Sequence, residues 1–167
     1  MDVGILILRL VVGLTLAAHG AQKLFGWFGG YGLTTTGTFF EQLGFVPGRR
    51  SALLAGMAET GAGVLLALGL ATPVGAALAI AVMLVAAVTV HLKQGFFVTK
   101  NGYEYTLILG IAALSLAFTG PGAISVDALL GLTDRGAVWG VAALVIGLVG
   151  GAIQLGRRQV PAVQKVN

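Results

Sequence analysis

The chain has 167 residues, of which 57% are hydrophobic, only 10% are charged and 27 are glycine. Ten basic and six acidic side chains are too few to cover a water-soluble fold of this size, since an ordinary soluble domain is about a quarter charged. With no cysteine, disulfides, zinc–thiolate sites, iron–sulfur clusters and an internal thiol relay are excluded. The pI near 9.9 reflects a small basic excess, which reads as a membrane-topology signal and not as a nucleic-acid footprint.

A bilayer core about 30 Å thick requires roughly 20 mostly apolar residues per helix. Five stretches meet that demand. The first runs from Val3 to Leu24, and with no basic segment before it, it reads as a retained span and not a cleavable signal. Residues 26–50 form an interfacial loop in which Trp27, Phe28 and Tyr31 suit the aromatic belt. Within it, Thr36 to Leu43 is expected to form a short surface helix capped by a threonine. Pro47 and the Arg49–Arg50 pair lead into the second span, Ala52 to Ala71. Thr72-Pro73 marks a tight turn, and the third span follows from Val74 to Leu92. The fourth, Tyr103 to Phe118, is stopped by Thr119-Gly120-Pro121-Gly122. Asp127 is expected to cap a short interfacial helix through Leu129, Leu130 and Leu132, and Asp134-Arg135 leads on. The fifth span, Val138 to Leu155, carries Gly147, Gly150 and Gly151, which call for a close partner helix in this chain or another. No internal repeat is visible. The expected organisation is an all-α membrane domain over 1–135, an additional helix over 136–156 and a basic tail over 157–167.

With five spans, Lys23, Arg49, Arg50, Lys93, Lys100, Arg157, Arg158 and Lys165 fall on one side, against Arg135 on the other. Positive residues favour the cytoplasmic face. The expectation is a multi-pass protein of a bacterial-type inner membrane, N-terminus outside and C-terminus cytoplasmic.

Ionisable residues within spans are costly and usually face the bundle interior with partners. Arg9 and Lys23 lie about 40° apart on one face of the first span, on a stripe with Gly13, Leu16 and Gly20, and His19 sits at its edge. Glu59, in the second span, is flanked by Ala52, Ala55, Gly56 and Gly63. Small residues on both stripes predict close packing of these two spans, with Glu59 held by Arg9 or His19. That pair is either a buried clamp or a carboxylate that also handles a proton. His91 and Glu104 meet where the third and fourth spans share a short loop. With His19 and Lys23 they are expected to form a polar pocket, walled by Phe25, Trp27, Phe96 and Tyr103, suited to a quinone or lipid contact. The alternative is ordinary interfacial anchoring. No metal-ligand spacing is present, and two histidines on glycine-rich, close-packed helices argue against haem.

Several ordered motifs carry a resemblance. Arg9-Leu-x-x-Gly13, His19-Gly20-x-Gln22-Lys23-Leu24-Phe25-Gly26, Ala58-Glu59-x-x-Gly-x-Gly, Gly69-x-x-Thr72-Pro73, His91-x-x-x-Gly95-Phe96, Gly102-x-Glu104-Tyr105, Gly120-Pro-Gly and Ser125-x-Asp127 resemble the DoxX family over about residues 4–130. The resemblance implies a four-helix membrane bundle, which the fifth span extends. It also implies work beside oxidoreductases, the family being named for a subunit associated with a thiosulfate:quinone oxidoreductase. It marks Arg9, His19, Lys23, Glu59, His91 and Glu104 as motif positions without saying which are catalytic. Lacking cysteine and any evident electron carrier, the chain is expected to be an integral accessory subunit of an oxidoreductase or respiratory-type complex, not a self-sufficient enzyme. It would border a quinone, bind no cofactor covalently, and have the bilayer and other membrane or peripheral redox subunits as partners. A small proton-linked carrier and a purely structural assembly subunit are the alternatives.

Overall fold

The computed structural model describes residues 1–132 and 136–159. The expectations placed on Asp134, Arg135 and Lys165, and on the tail beyond residue 159, lie outside the described residues. The chain is all-helical there: α1 (Asp2–Phe25), α2 (Gly32–Gln42), α3 (Gly48–Leu68), α4 (Thr72–Ala86), α5 (Glu104–Thr119), α6 (Val126–Leu129) and α7 (Ala137–Gly156). Beyond α4 the helix continues as a π-helical turn, Ala87–His91, and a 3-10 turn, Leu92–Gln94.

Among the described residues four helices are long and apolar enough to cross a membrane: Asp2–Phe25, Gly48–Leu68, Thr72–Gln94 and Ala137–Gly156. The apolar helix Glu104–Thr119 has 16 residues, about 24 Å at 1.5 Å per residue, and the turn at Tyr103 extends its reach. α1, α3, α4 and α5 form the bundle, and α7 lies along α4 and α5 on its outside. The core is built from Val12 and Leu16 of α1, Leu66 of α3, Ala76, Ala79 and Met83 of α4, and Leu109, Ala113 and Leu116 of α5. Large apolar side chains such as Val11, Leu14, Ile108 and Ile146 point outward. On a chain this poor in charge, that outward face is lipid-facing surface.

The expected α1–α3 packing is present and close. A Cβ on Gly13 would lie 2.6 Å from the Gly63 carbonyl oxygen, and one on Gly20 would lie 2.6 Å from that of Gly56. Helices without a hydrophobic drive between them gain their contact energy from such backbone approach. The glycines of α7 find their partner in this chain: Gly147 faces Ile80 and Ala77, and Gly151 faces Leu84 and Ala81.

Three local expectations are corrected. The surface helix begins at Gly32, earlier than Thr36, and its N-cap is Tyr31 with no side-chain cap. Gly26 adopts a left-handed turn and Gly30 packs directly on Gln22, so the chain reverses quickly and re-enters helix sooner. α3 starts at Gly48, before the arginine pair, because Pro47 supplies an extended N-cap and Glu41 Oε1 accepts from Gly48 N at 3.0 Å. A carboxylate suits the free amides of a helix start. Finally, α6 is capped by Ser125, whose Oγ accepts from Ala128 N at 3.1 Å, while Asp127 turns inward and is fully buried.

Candidate functional site

The six ionisable motif residues do not form one cluster: Arg9 stands apart, His19, Lys23 and Glu59 lie together, and Glu104 closes a loop with His91, which also lines a cleft with Lys23 and Glu59. Arg9 is 2% exposed and pairs with no carboxylate directly. Its Nε donates to Leu66 O at 3.1 Å and Nη2 to Ala67 O at 3.0 Å. Its Nη1 donates to Ile124 O at 2.8 Å and also to Pro121 O. The last carbonyls of α3 have no partner within their own helix, so Arg9 caps them while holding the segment after α5. Gly69 ends α3 in a left-handed conformation, φ 64°, and a Cβ there would lie 2.6 Å from the Arg9 guanidinium carbon. Asp127 completes this end: its Oδ1 accepts from Ala71 N at 3.0 Å and its own amide donates to Gly69 O at 3.0 Å. The expected Arg9–Glu59 contact is therefore absent. Arg9 reaches toward the α3–α4 turn, where main-chain oxygens satisfy it.

Glu59 is instead held by Lys23, with Nζ and Oε2 2.6 Å apart. The carboxylate is 3% exposed, set among Ala52, Gly56 and Gly63 of α3. Lys23 Nζ also lies 3.5 Å from His19 O, one turn back. The His19 ring meets Tyr105 of α5, with Nε2 and the tyrosine hydroxyl 3.0 Å apart. Tyr105 stands next to Glu104 in the Gly102-x-Glu104-Tyr105 motif and is not among the site residues that the sequence singles out. Its signal was the motif itself, because tyrosine at a membrane interface is unremarkable by composition.

The third place is the loop between the π turn and α5. His91 Nδ1 donates to Asn101 O at 2.7 Å, so that nitrogen carries the hydrogen. Glu104 Oε2 accepts from Val98 N at 2.9 Å, closing the same loop. Gly102 packs against Gly95 and Phe96 with no space for a side chain. Phe96 and Tyr103 stack edge-on at 5.4 Å, and Phe25 packs on Trp27 at 4.9 Å. These four aromatics form two interfacial pairs away from the Lys23–Glu59 pair.

A cleft of about 360 Å³ does border that pair. Lys23 and Glu59 line it together with Ala55 and Ala58 of α3, Val82 and Val85 of α4, and Gly150, Gly151 and Gln154 of α7. Small residues on three neighbouring helices leave the space. Its aromatic wall is Phe39, Phe40 and Phe45, and not the four aromatics expected from sequence. Thr89 and His91 join it through the π turn, where Thr89 Oγ1 donates back to Val85 O at 2.8 Å. π turns widen a helix locally and recur at functional sites. Leu54, 57% exposed on the apolar outer face, also lines it. The end of α7 ties down the neighbouring loop: Arg158 Nε donates to Leu43 O at 2.8 Å and Gln159 N to Gly44 O at 2.7 Å. The Arg158 guanidinium also lies 5.7 Å from the Phe45 ring centre.

Fold and site together define a multi-pass α-helical membrane protein with a small, mostly apolar cleft that an ion pair lines. The DoxX family model matches residues 4–92, from α1 through the π turn. The chain belongs to the DoxX family. It is also 30% identical over 126 residues, 75% of this chain and 86% of the other, to the Bacillus subtilis (strain 168) protein named "Putative oxidoreductase CatD". No solved structure matches the chain.

Proposed function

We propose that the protein is a membrane-embedded component of an oxidoreductase system whose cleft takes the ring of a lipophilic quinone. The observation that carries this reading is the cleft itself: mostly apolar walls, an exposed leucine among them, and an ammonium group paired with a carboxylate on its lining. Binding sites for small molecules typically measure about 300–1,000 Å³ and combine apolar walls with a few placed polar groups. Lys23 has three N–H groups; Glu59 takes one and the His19 carbonyl lies near a second at 3.5 Å, which leaves a donor for a ring carbonyl. Gln154 offers an amide from the α7 wall. Phe39, Phe40 and Phe45 offer faces for the ring. The quinone supplies the two-electron carrier chemistry that the chain's own side chains lack. The relative's oxidoreductase name supports a redox setting, and the electrons belong to a partner subunit.

The test is a titration of the purified full chain, in phosphatidylcholine nanodiscs, with the short-tailed probe ubiquinone-1. Saturable binding is expected, weakened about tenfold or more in Lys23→Met, as loss of a charge-assisted hydrogen bond implies. Absence of saturable binding refutes the reading. Mild-detergent isolation with mass spectrometry should recover an oxidoreductase subunit. Recovery of the chain alone, without quinone or partner, favours the proton-linked carrier instead.

The reading includes an orientation. Lys23, Arg49, Arg50 and Arg158 share the end of the bundle that holds the cleft, and we place that end in the cytoplasm of a bacterial-type inner membrane. A cysteine introduced at position 2 should react with an impermeant maleimide in intact cells. Labelling only after lysis reverses the orientation.

A further inference from the structure

A second cavity, of about 390 Å³, lies between the end of α1 and the surface helix α2. Gln22, Tyr31, Thr35 and Thr36 give it polar walls, and Tyr31, 81% exposed, stands at its mouth. It shares three residues with the cleft: Lys23, Phe39 and Phe40. Glu59 lines the cleft but not this vestibule. Lys23 is therefore the ionisable group that touches both spaces, and its partner touches only the inner one.

We propose that the Lys23–Glu59 pair is a proton relay that carries protons from the interfacial vestibule to the occupant of the cleft. The proposal rests on the quinone reading of that cleft. With Nζ and Oε2 only 2.6 Å apart, a proton can cross from nitrogen to oxygen without rearrangement of either helix. Burial makes this exchange accessible, because the desolvation cost of two charges is removed when the pair becomes a neutral amine and a neutral acid.

The steps balance. An Nζ–H bond breaks and an Oε2–H bond forms. The acid then gives its proton to a ring oxygen of the quinone, breaking Oε2–H and forming the ring O–H. The Lys23 amine takes a proton from vestibule water, the hydroxide left behind is neutralised by a proton from bulk water, and the ion pair is restored. Two passes supply the two protons a quinone needs when a reduced partner subunit delivers two electrons, giving quinol. Phe39 and Phe40 line both spaces beside Lys23. The titratable groups around it are His19, whose carbonyl lies near Nζ, Tyr105, bonded to the His19 ring, His91 on the cleft wall and Tyr31 at the vestibule mouth.

Film voltammetry of the full chain in lipid, loaded with ubiquinone-1, tests the relay with an electrode as the electron source. Thr35→Trp fills the vestibule from a position that does not line the cleft. It should slow quinone reduction by at least about tenfold, the lower end of what a positioned proton donor contributes, while the affinity for ubiquinone-1 stays within about threefold. Lys23→Met/Glu59→Gln removes both charges together and should slow reduction similarly in whatever fraction binds the probe. An unchanged rate in either variant with the probe bound overturns the relay and leaves the quinone site standing. No saturable binding to the unmodified chain overturns the quinone site, and the relay falls with it.

Discussion

The bundle holds a cation at each end, buried Arg9 and partly buried Lys23, and the two ends treat it in opposite ways. At the end where α1 begins, Arg9 is surrounded by carbonyl oxygens of Leu66, Ala67, Pro121 and Ile124. None of these acceptors can titrate, and Leu66 O is held by the Gly69 amide as well. At the end where α1 finishes, Lys23 meets a carboxylate, and the pair borders two cavities. The planar fork of arginine suits a fixed set of acceptors; the single ammonium of lysine leaves donors to spare. A buried charge on main-chain oxygens is a clamp, while one on a titratable side chain beside open space can do chemistry.

The strongest way to break this contrast is to remove the clamp. Arg9→Met removes the side-chain donors from four carbonyls, two of them in buried hydrogen bonds, and leaves the Asp127 carboxylate without its nearby compensating charge. A loss of about 3–5 kcal/mol is expected, as for breaking a buried charged network, read as a collapse of the unfolding midpoint in detergent. Arg9→Lys should restore only a minor part, because one ammonium cannot span both the α3 end and the 121–124 segment. Near-wild-type stability of Arg9→Met would show that these hydrogen bonds hold nothing together. Gly69→Ala attacks the same end more gently: a left-handed residue gains a side chain directly against the guanidinium. About 1–3 kcal/mol should be lost by the same measurement.

At the other end the expected pattern is non-additive. Glu59→Gln and Lys23→Met each leave a buried or half-buried charge without its partner and should each cost about 1–3 kcal/mol. The double variant should recover most of that, because two neutral side chains need no compensation. A double variant that is as unstable as the sum of the singles would mean that the pair stabilises the bundle as the clamp does. The contrast between the two ends would then disappear.

The sequence made much of the fold legible. Bilayer thickness and apolar length placed all five apolar helices within a few residues, and the small-residue stripes identified the α1–α3 contact through Gly13, Gly20, Gly56 and Gly63. Partner choice was less legible. Helical geometry puts Arg9, His19 and Lys23 near one face but does not say which way a long side chain bends. Arg9 bends toward the α3–α4 turn because uncapped carbonyls wait there. The cleft was hidden for a related reason: its aromatic wall comes from α2 and the α2–α3 loop, and its far wall from α7, distant stretches brought over the pair by tertiary packing. Several motif residues also proved to shape the backbone. Gly102 and Glu104 close a loop, and Ser125 and Asp127 build the turn beside Arg9. With these assigned, Lys23 and Glu59 are the charged motif residues that face open space together.

The smallest expected effect marks where the working end stops. Tyr105 shares a hydrogen bond with His19 on the α1–α5 side, but neither residue lines the cleft or the vestibule. Tyr105→Phe keeps the ring and its edge-on packing on His19 at 5.6 Å and removes only the hydroxyl. The partly exposed imidazole can then hydrogen-bond with water, so the cost should be about 0.5–1 kcal/mol, the usual net worth of such a bond. Affinity for ubiquinone-1 should stay within about twofold, because Lys23 keeps both Glu59 and its free donor. A stability loss without a binding change assigns the Tyr105–His19 pair to helix packing. A tenfold loss of binding would mean that the polar network is continuous from α5 through His19 to Lys23. The working end would then extend across the whole bundle instead of stopping at the two residues that border the cavities.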